Sequence, residues 1–514
     1  MSLGELETVH PLYTKNQVFW YKMLACYKGI KAIVEGGYGV LRHERESQEN
    51  YERRVREAYG FGYSGSIVDL FNFYLFKSTV KREMGSLSKD SSWAMFEEDC
   101  NLYGDNFLTW LLETQRWACV FGQLGILVDK STSKMMTQSE EIAAKVYPYV
   151  ARYFPMNVLD WEYKKDENNR PYLNYIKLRD DDGSYRIWTT EWWAIYEISD
   201  DAKMNSGDTV MNVTTGKVQG GAINNSKDTK VDSVADGDNQ LREVPFVWLY
   251  NIKGEQRPIG ISDIKDIAYI DLSIIGNLSD GEEVIDYGAF PMMRKPYREK
   301  GVGPSGKGDD EDVGPSAILE FDPDQPEAKP DWLEAAVDKP ITAILDWIER
   351  KTTEIYRTAN IGGMAATEIQ TQPKSGVALK SEFQLLNGKL VQKGNNVEEA
   401  ERQIKTFWCK WQGREDLIPD IAVEWPETYD VENLAQDLQN ALTGNSIVKS
   451  ETFQKEVQKQ VARSMLPNAD NATLNTIDKE IDEYQPVDMS ELMGNPDEDN
   501  DKKKKDSTNT TTTE

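Results

Sequence analysis

The sequence predicts an α+β chain, mainly helical towards both ends and β-rich between. Three observations carry this. Apolar residues recur at helical spacing through residues 1–146 and again from 261 to 411. Between Tyr147 and Tyr250 the period changes to two. The 514 residues are 39% apolar and include 14 Trp and 24 Tyr, ample for real cores and for two to four domains.

Taken in order, Val18 to Tyr27 is a dense helix stopped by Gly29 or by Gly36-Gly37. Tyr51 to Tyr59, with Arg53, Arg54 and Arg56, is a basic helical turn or two. Ile67 to Phe76 is a buried helix. Trp93 to Val128 is a long apolar helical region that ends at Gly122 to Gly125 and passes into a strand, Ile126 to Val128. Tyr147 to Pro155 leads to Val158 to Trp161. Tyr172 to Arg179 and Tyr185 to Trp188 then flank Asp180-Asp-Asp-Gly183, a good hairpin turn. Trp192 to Ile198 is a further strand. Residues 199–240 are polar and Gly/Asn/Asp-rich, a long exposed hairpin or a mobile insertion. Val244 to Tyr250 restores a strand.

A helix over 261–285 follows, with Ile264, Ile267, Ala268, Ile274, Ile275 and Leu278 as its apolar positions. Then come a short strand, Tyr287 to Met293, a Gly- and charge-rich loop at 298–316, and another strand, Ala317 to Phe321. The stretch Trp332 to Gln412 reads as helix, joint, helix. Ile341, Ile344, Leu345, Ile348 and Ile355 form one stripe, with Asp338 as a cap and Pro340 in the first turn. The joint, 359–373, is Gly-rich, closed by Pro373, and carries one charge, Glu368. The second arm runs from Lys374 to Trp411. Ile421 to Trp425 is strand-like. Two polar helices follow, one with Leu434, Leu438 and Leu442, the other from Ser450-Glu451. From Gln485 the chain is low-complexity, with Lys502 to Lys505 and a Thr-rich end, and is expected to be disordered.

A net charge of −28 argues for a self-repelling protein and against a sequence-specific DNA binder, which carries a basic face. Cys26, Cys100, Cys119 and Cys409 are scattered in apolar surroundings, without a CxxC pair, and read as reduced core residues. With only His10 and His43, His-based triads and His-rich metal sites are disfavoured. No apolar run is long enough to span a membrane, and no signal peptide is evident.

Two motifs tempt. Gly301 to Gly308 nearly spells a P-loop, but Gly308 stands where Ser or Thr should hold Mg²⁺. Basic Arg294 to Lys300 precedes it in place of a strand, and Asp309 to Asp312 would repel phosphate. Gly60-Phe-Gly62-Tyr-Ser-Gly65 fits GxGxxG but follows a helix and reads as a helix-breaking turn. The acidic run 309–312 reads as a solvated loop, not a metal site. No nucleophile–base pair stands out, so no enzyme, cofactor or metal is expected.

The order of elements resembles the portal proteins of tailed bacteriophages. His10-Pro-Leu-Tyr13 through Trp20 and Tyr27-Lys-Gly29 resembles the opening of one portal branch, and Pro155 to Trp161 the segment leading into its wing. Val244-Pro-Phe-Val247 with Ile264 to Leu272 is similar to its strand-to-stem transition. Ser375 to Lys380 resembles the start of its tunnel helix, and Asn445 to Thr452 its crown helix pair. The likeness covers about residues 10–485; the insertion 199–240 and the Lys-rich tail lie outside it.

The resemblance implies a portal-type fold assembled as a ring. Its parts are a helical part of the wing (1–146), a β-rich wing (147–260), stem helices (261–285 and 331–358) and a small β/α clip (286–330). A tunnel loop (359–374), a tunnel helix with its return to the wing (375–429), a helical crown (430–485) and a disordered tail (486–514) complete it. It further implies a homo-oligomer, usually of twelve, at one capsid vertex of a virion assembled in the host bacterial cytoplasm. Double-stranded DNA passes through the channel. The implied partners are the large terminase subunit, a head-completion or adaptor protein, and the major capsid and scaffolding proteins. The tunnel-loop residues carried over are Asn360, Ile361, Gly362, Gly363, Met364, Thr367, Glu368, Gln370, Gln372 and Lys374. Those for docking at the clip are Arg298, Lys300, Lys307, Asp309, Asp310 and Glu311. A nearly uncharged lining suits a surface that DNA must slide past, since tight phosphate contacts would stall it. One Lys374 per chain would make a ring of about twelve positive charges. The alternatives are another virion structural or scaffolding protein, or a nucleotide-dependent enzyme using Gly301–Gly308.

Overall fold

A computed structural model describes residues 1–78, 80–131, 137–197, 211–212, 217–218, 231–289, 292–294, 331–333, 337–361, 376–429, 450–465 and 471–483. Helix and sheet are mixed along the chain, as the alternating periods require. Two compact units form, Met1–Tyr429 and Asp430–Glu514.

The first unit opens with α1 (Leu3–Glu7), α2 (Pro11–Lys28) and α3 (Ile30–Glu35). His10 caps α2 through Nδ1, which accepts from the Leu12 N–H, and Pro11 fills the first helical position. Gly29, at φ 90°, separates α2 from α3, and Gly36 then ends α3, so both expected stops are used. Helices α4 (Gln48–Glu57), α5 (Tyr63–Lys77), α6 (Ser91–Glu98) and α7 (Phe107–Phe121) follow, with strand β1 (Lys81–Glu83) between α5 and α6. The expected single apolar region from Trp93 is therefore two helices. Asp99 ends the first, and Asn106 starts the second by accepting from the Leu108 N–H.

Strand β2 (Gln123–Asp129) begins three residues before the expected Ile126 and is buried throughout. It is the middle strand of an antiparallel sheet between β3 (Tyr149–Tyr153) and β11 (Phe246–Tyr250). Gly125 belongs to the strand because the Phe246 ring lies over it: an added Cβ would stand 2.2 Å from Phe246 Cζ. Gly125→Ala is expected to cost about 1–3 kcal/mol by overpacking, read as a lower urea midpoint with an unchanged slope.

A second antiparallel sheet has the order β10-β7-β6-β5-β4, from β4 (Val158–Lys165), β5 (Pro171–Arg179), β6 (Tyr185–Thr189), β7 (Trp192–Tyr196) and β10 (Ser233–Asp238). Gly183 at φ 87° closes the expected β5–β6 hairpin. The reading of 199–240 as one exposed insertion is corrected at its end. Ser233–Asp238 pairs with β7, and the Val231 N–H donates to the Met1 carbonyl, so this polar segment closes the sheet edge. Helix α8 (Gln138–Ala143) and the two-residue pairs β8 (Met211–Asn212) with β9 (Lys217–Val218) and β12 (Ile252–Lys253) with β13 (Gly260–Ile261) complete the β-rich part.

Helix α9 (Ile267–Ala289) starts later and ends later than the expected 261–285. Gly260 and Ile261 are held in strand pairing, and Tyr287 to Ala289, expected as strand, continue the helix. Residues Met292–Arg294 (β14) pair antiparallel with Asp331–Leu333 (β15). The expected helix over 331–358 therefore begins as a strand, and α10 spans Asp338–Thr358. Asp338 is the first residue of α10 and not its cap: Val337 occupies that position without a side-chain hydrogen bond. Helix α11 (Gly376–Trp411) has 36 residues and is about 54 Å long. Strand β16 (Ala422–Glu424) pairs with β1. The second unit shows α12 (Glu451–Met465) and α13 (Asn471–Glu483), joined by Lys459 to Asp482 at 2.6 Å. The Leu434–Leu442 helix, the Ala317–Phe321 strand, the Gly301–Gly308 loop and the tail from Gln485 lie outside the described residues.

Candidate functional site

Helices α9 and α10 lie antiparallel. Lys351 Nζ reaches Ser273 Oγ at 2.6 Å, Gly281 faces Ile344, and Gly288 faces Val337, so the register runs down the pair to β14–β15 at its end. The stripe predicted on α10 exists but is narrow: Ile348, Ile355 and Ala359 are buried, while Leu345 and Trp347 stay exposed. A 21-residue helix with one narrow buried stripe leaves most of its surface exposed, including the apolar Leu345 and Trp347.

The other edge of α9 is fixed to α4 by charge. Arg54 is 3% exposed and bonds Glu46 at 3.0 Å, Asp280 at 2.5 Å and Ser279 at 3.1 Å. Arg53 reaches Asp286 at 2.5 Å. The basic turn at Arg53 and Arg54 is thus paired within the chain, with Glu46 and with acids of α9.

An open cleft of 610 Å³ runs along the hairpin between Tyr269, Ile270 and Ser273 of α9 and Trp347, Arg350, Lys351, Thr353 and Glu354 of α10. Burial pushes the Lys351 ammonium below its usual pKa, and its hydrogen-bond partners are the Ser273 hydroxyl and carbonyl.

Only two of the ten tunnel-loop candidates are among the described residues, and both belong to the end of α10. Asn360 stands at φ 60°, and the Ile361 N–H donates to the Tyr356 carbonyl at 3.0 Å while the Asn360 N–H donates to that of Arg357. This is a left-handed helix stop, with Ile361 buried as its apolar anchor. Gly362, Gly363, Met364, Thr367, Glu368, Gln370, Gln372 and Lys374 lie outside the described residues, as do Arg298, Lys300, Lys307, Asp309, Asp310 and Glu311.

Beyond the joint, α11 turns inward. Leu386, Leu390, Val397, Ala400, Ile404 and Trp408 are buried, and the same face carries Lys393, Glu401 and Lys405. Lys393 bonds Asp263 and Asn251 in the core. Burial opposes its charge, and Asp263 together with Cys119 more than offsets this, so the ammonium is held above its usual pKa. Glu401 is clamped by Arg82 and Lys405, each at 2.7 Å. These pairs fix α11 to the core from Lys393 onward. Sequence reading missed these groups because a Lys at helical spacing is indistinguishable from a solvent-facing one until its acid, here Asp263, is placed beside it.

All four cysteines are free and buried, as expected. Among the described residues no group of three or more His, Cys, Asp or Glu could hold a metal, and no helix is long and apolar enough to cross a membrane.

The sequence matches no protein-family model and no curated protein. Among solved structures it is similar to a chain from "Virion of native gene transfer agent (GTA) particle", over 84% of this chain and 99% of that one, at 9% identity and a TM-score of 0.39, too slight a likeness to carry an argument.

Proposed function

We propose that this chain is a portal-type subunit. It forms a ring, usually of twelve, at one capsid vertex, through which double-stranded DNA enters and leaves a virion. The observation that carries this reading is the antiparallel pair α9/α10, exposed over most of α10 and closed by β14–β15 at one end. Its other end leads through a joint into a core-anchored helix. A ring needs such staves, with one face held by the body and the rest left for neighbours and channel.

The chain then does no chemistry and needs no cofactor: it conducts. Terminase, and later a head-completion protein, would dock on the segment 295–330 beyond β14, and capsid and scaffolding proteins on the outer body. Projection images of the purified protein test the reading. Rings with an open centre wide enough for a duplex support it, and a monomer or dimer under all conditions, capsid partners included, ends it. A ring lacking such a channel would favour another virion structural or scaffolding role. Removing residues 302–312 is expected to weaken terminase binding at least several-fold in a pull-down while leaving rings intact. Unchanged binding would remove that segment from the docking site.

A further inference from the structure

The α9/α10 hairpin exposes apolar surface on two opposite flanks, and the flanks differ. Residues turn by about 100° each along a helix, so Trp347, Lys351 and Glu354 share one side of α10. Leu345 and Tyr356 share the other, across the buried Ile348–Ile355 stripe. On the first side lies the open cleft with Tyr269 and Ser273 of α9. Tyr269 and Trp347 are both about half exposed there, and Lys22 Nζ stands 4.6 Å from the Tyr269 ring. The second side is marked by a run of rings, Tyr59 to Phe61 to Tyr63 to Tyr356, with centroids 5.8–6.4 Å apart. Tyr59, Phe61 and Leu345 are exposed on it.

Charge divides the same way. Lys351 and Arg350, beside the cleft, have no carboxylate partner among the described residues, and Lys351 is already partly desolvated. On the far flank Glu282 receives only the Tyr59 hydroxyl, at 2.8 Å, and Glu349 meets no cation among the described residues. One flank is an open aromatic cleft with Arg350 and Lys351 unpaired and its one acid, Glu354, taken by Arg357 at 2.7 Å; the other is an aromatic run with acids that meet no cation.

We infer that these are the two unlike halves of one head-to-tail contact: the ridge of Phe61 and Leu345 on one copy of this chain seats in the Trp347–Lys351 cleft of the next. The inference rests on the ring reading and gives it a surface. Two different patches on opposite sides of one element cannot satisfy each other in a two-fold dimer, where a patch meets itself. They satisfy each other by a rotation repeated from copy to copy, which gives a ring where the rotation closes and a filament where it does not. Covering the cleft removes apolar area from water and brings an acid of the ridge to Lys351, an ion pair strengthened as water leaves.

Thiol cross-linking tests this, since all four native cysteines are buried. Full-length chains carrying Leu345→Cys, Trp347→Cys or both are treated with a short bis-maleimide, and wild-type rings are imaged in parallel. The doubly substituted chain is expected to give a ladder of multimers on a denaturing gel, and each single variant none. Mixing the two single variants should give dimers only. Dimers from Trp347→Cys alone would show the cleft meeting itself and overturn the inference. Rings whose double variant gives no ladder would overturn it while leaving the ring reading intact. Absence of rings from wild type would overturn that reading first. As a second measurement, Trp347→Asp and Leu345→Asp, exposed and so harmless to folding, should each raise the assembly midpoint at least tenfold. Unaltered assembly by both would also overturn the assignment.

Discussion

Lys393→Ala will destabilise the first unit by about 3–5 kcal/mol, a large share of a typical domain's stability. The side chains of Lys393 and Asp263 are 0% and 3% exposed, so removal of the ammonium leaves a carboxylate and the Asn251 side-chain oxygen Oδ1 buried without their donor. The loss comes from the stranded acid more than from the missing attraction. Lys393→Met combined with Asp263→Leu should therefore recover most of it, because the paired charges are removed together. Urea unfolding at one fixed protein concentration, followed by tryptophan fluorescence, measures both. A single-variant loss under about 1 kcal/mol, the size of an exposed pair, would show that water reaches Asp263 and that α11 is not anchored there.

Lys393 also shows how far the sequence could be read. The apolar face of α11 was legible because Leu386, Leu390, Val397, Ile404 and Trp408 follow the helical period. That Lys393, Glu401 and Lys405 share this face was legible too, but whether they are buried depends on Asp263 and Arg82, which are far away in sequence. The hairpin at Asp180 to Gly183 was read correctly, because its signal lies in adjacent residues. Strand β15 was not: three residues have no period, and its partner β14 is separated from it by a long segment. The polar β10 was missed for a related reason. Ser233–Asp238 alternates half-buried and exposed positions only because it lies against β7, and its own composition reads as loop. The helix stop at Asn360-Ile361 had a usable signal, Asn followed by an apolar residue at the end of an amphipathic stripe. The two flanks of α10 had none, since exposed Leu345 and Trp347 look like core residues until the stripe is seen to be narrow.

The helix stop at Asn360 and Ile361 gives the joint a fixed start. With α10 stopped there and α11 held by Lys393 and Glu401, the joint can change without disturbing either support. Shortening 362–371, or making Lys374→Glu, should leave ring assembly and thermal unfolding as in wild type. DNA packaging or retention should fall several-fold, counted as filled heads and as protected DNA. The charge argument sets the size. Lys374→Glu alters each chain by two charges, so a twelve-fold ring changes by about twenty-four at one level of the channel. A duplex carrying one phosphate charge per ~1.7 Å would meet that girdle within a Debye length of ~8–10 Å, where salt does not hide it. Lys374→Gln removes half of that change and should lie between wild type and Lys374→Glu. If charge at the joint matters, the three will rank in that order, and the defect of Lys374→Glu will shrink at higher salt as screening grows. If all three fill heads equally, DNA does not pass close to Lys374, and the joint does not serve as the channel's narrow point.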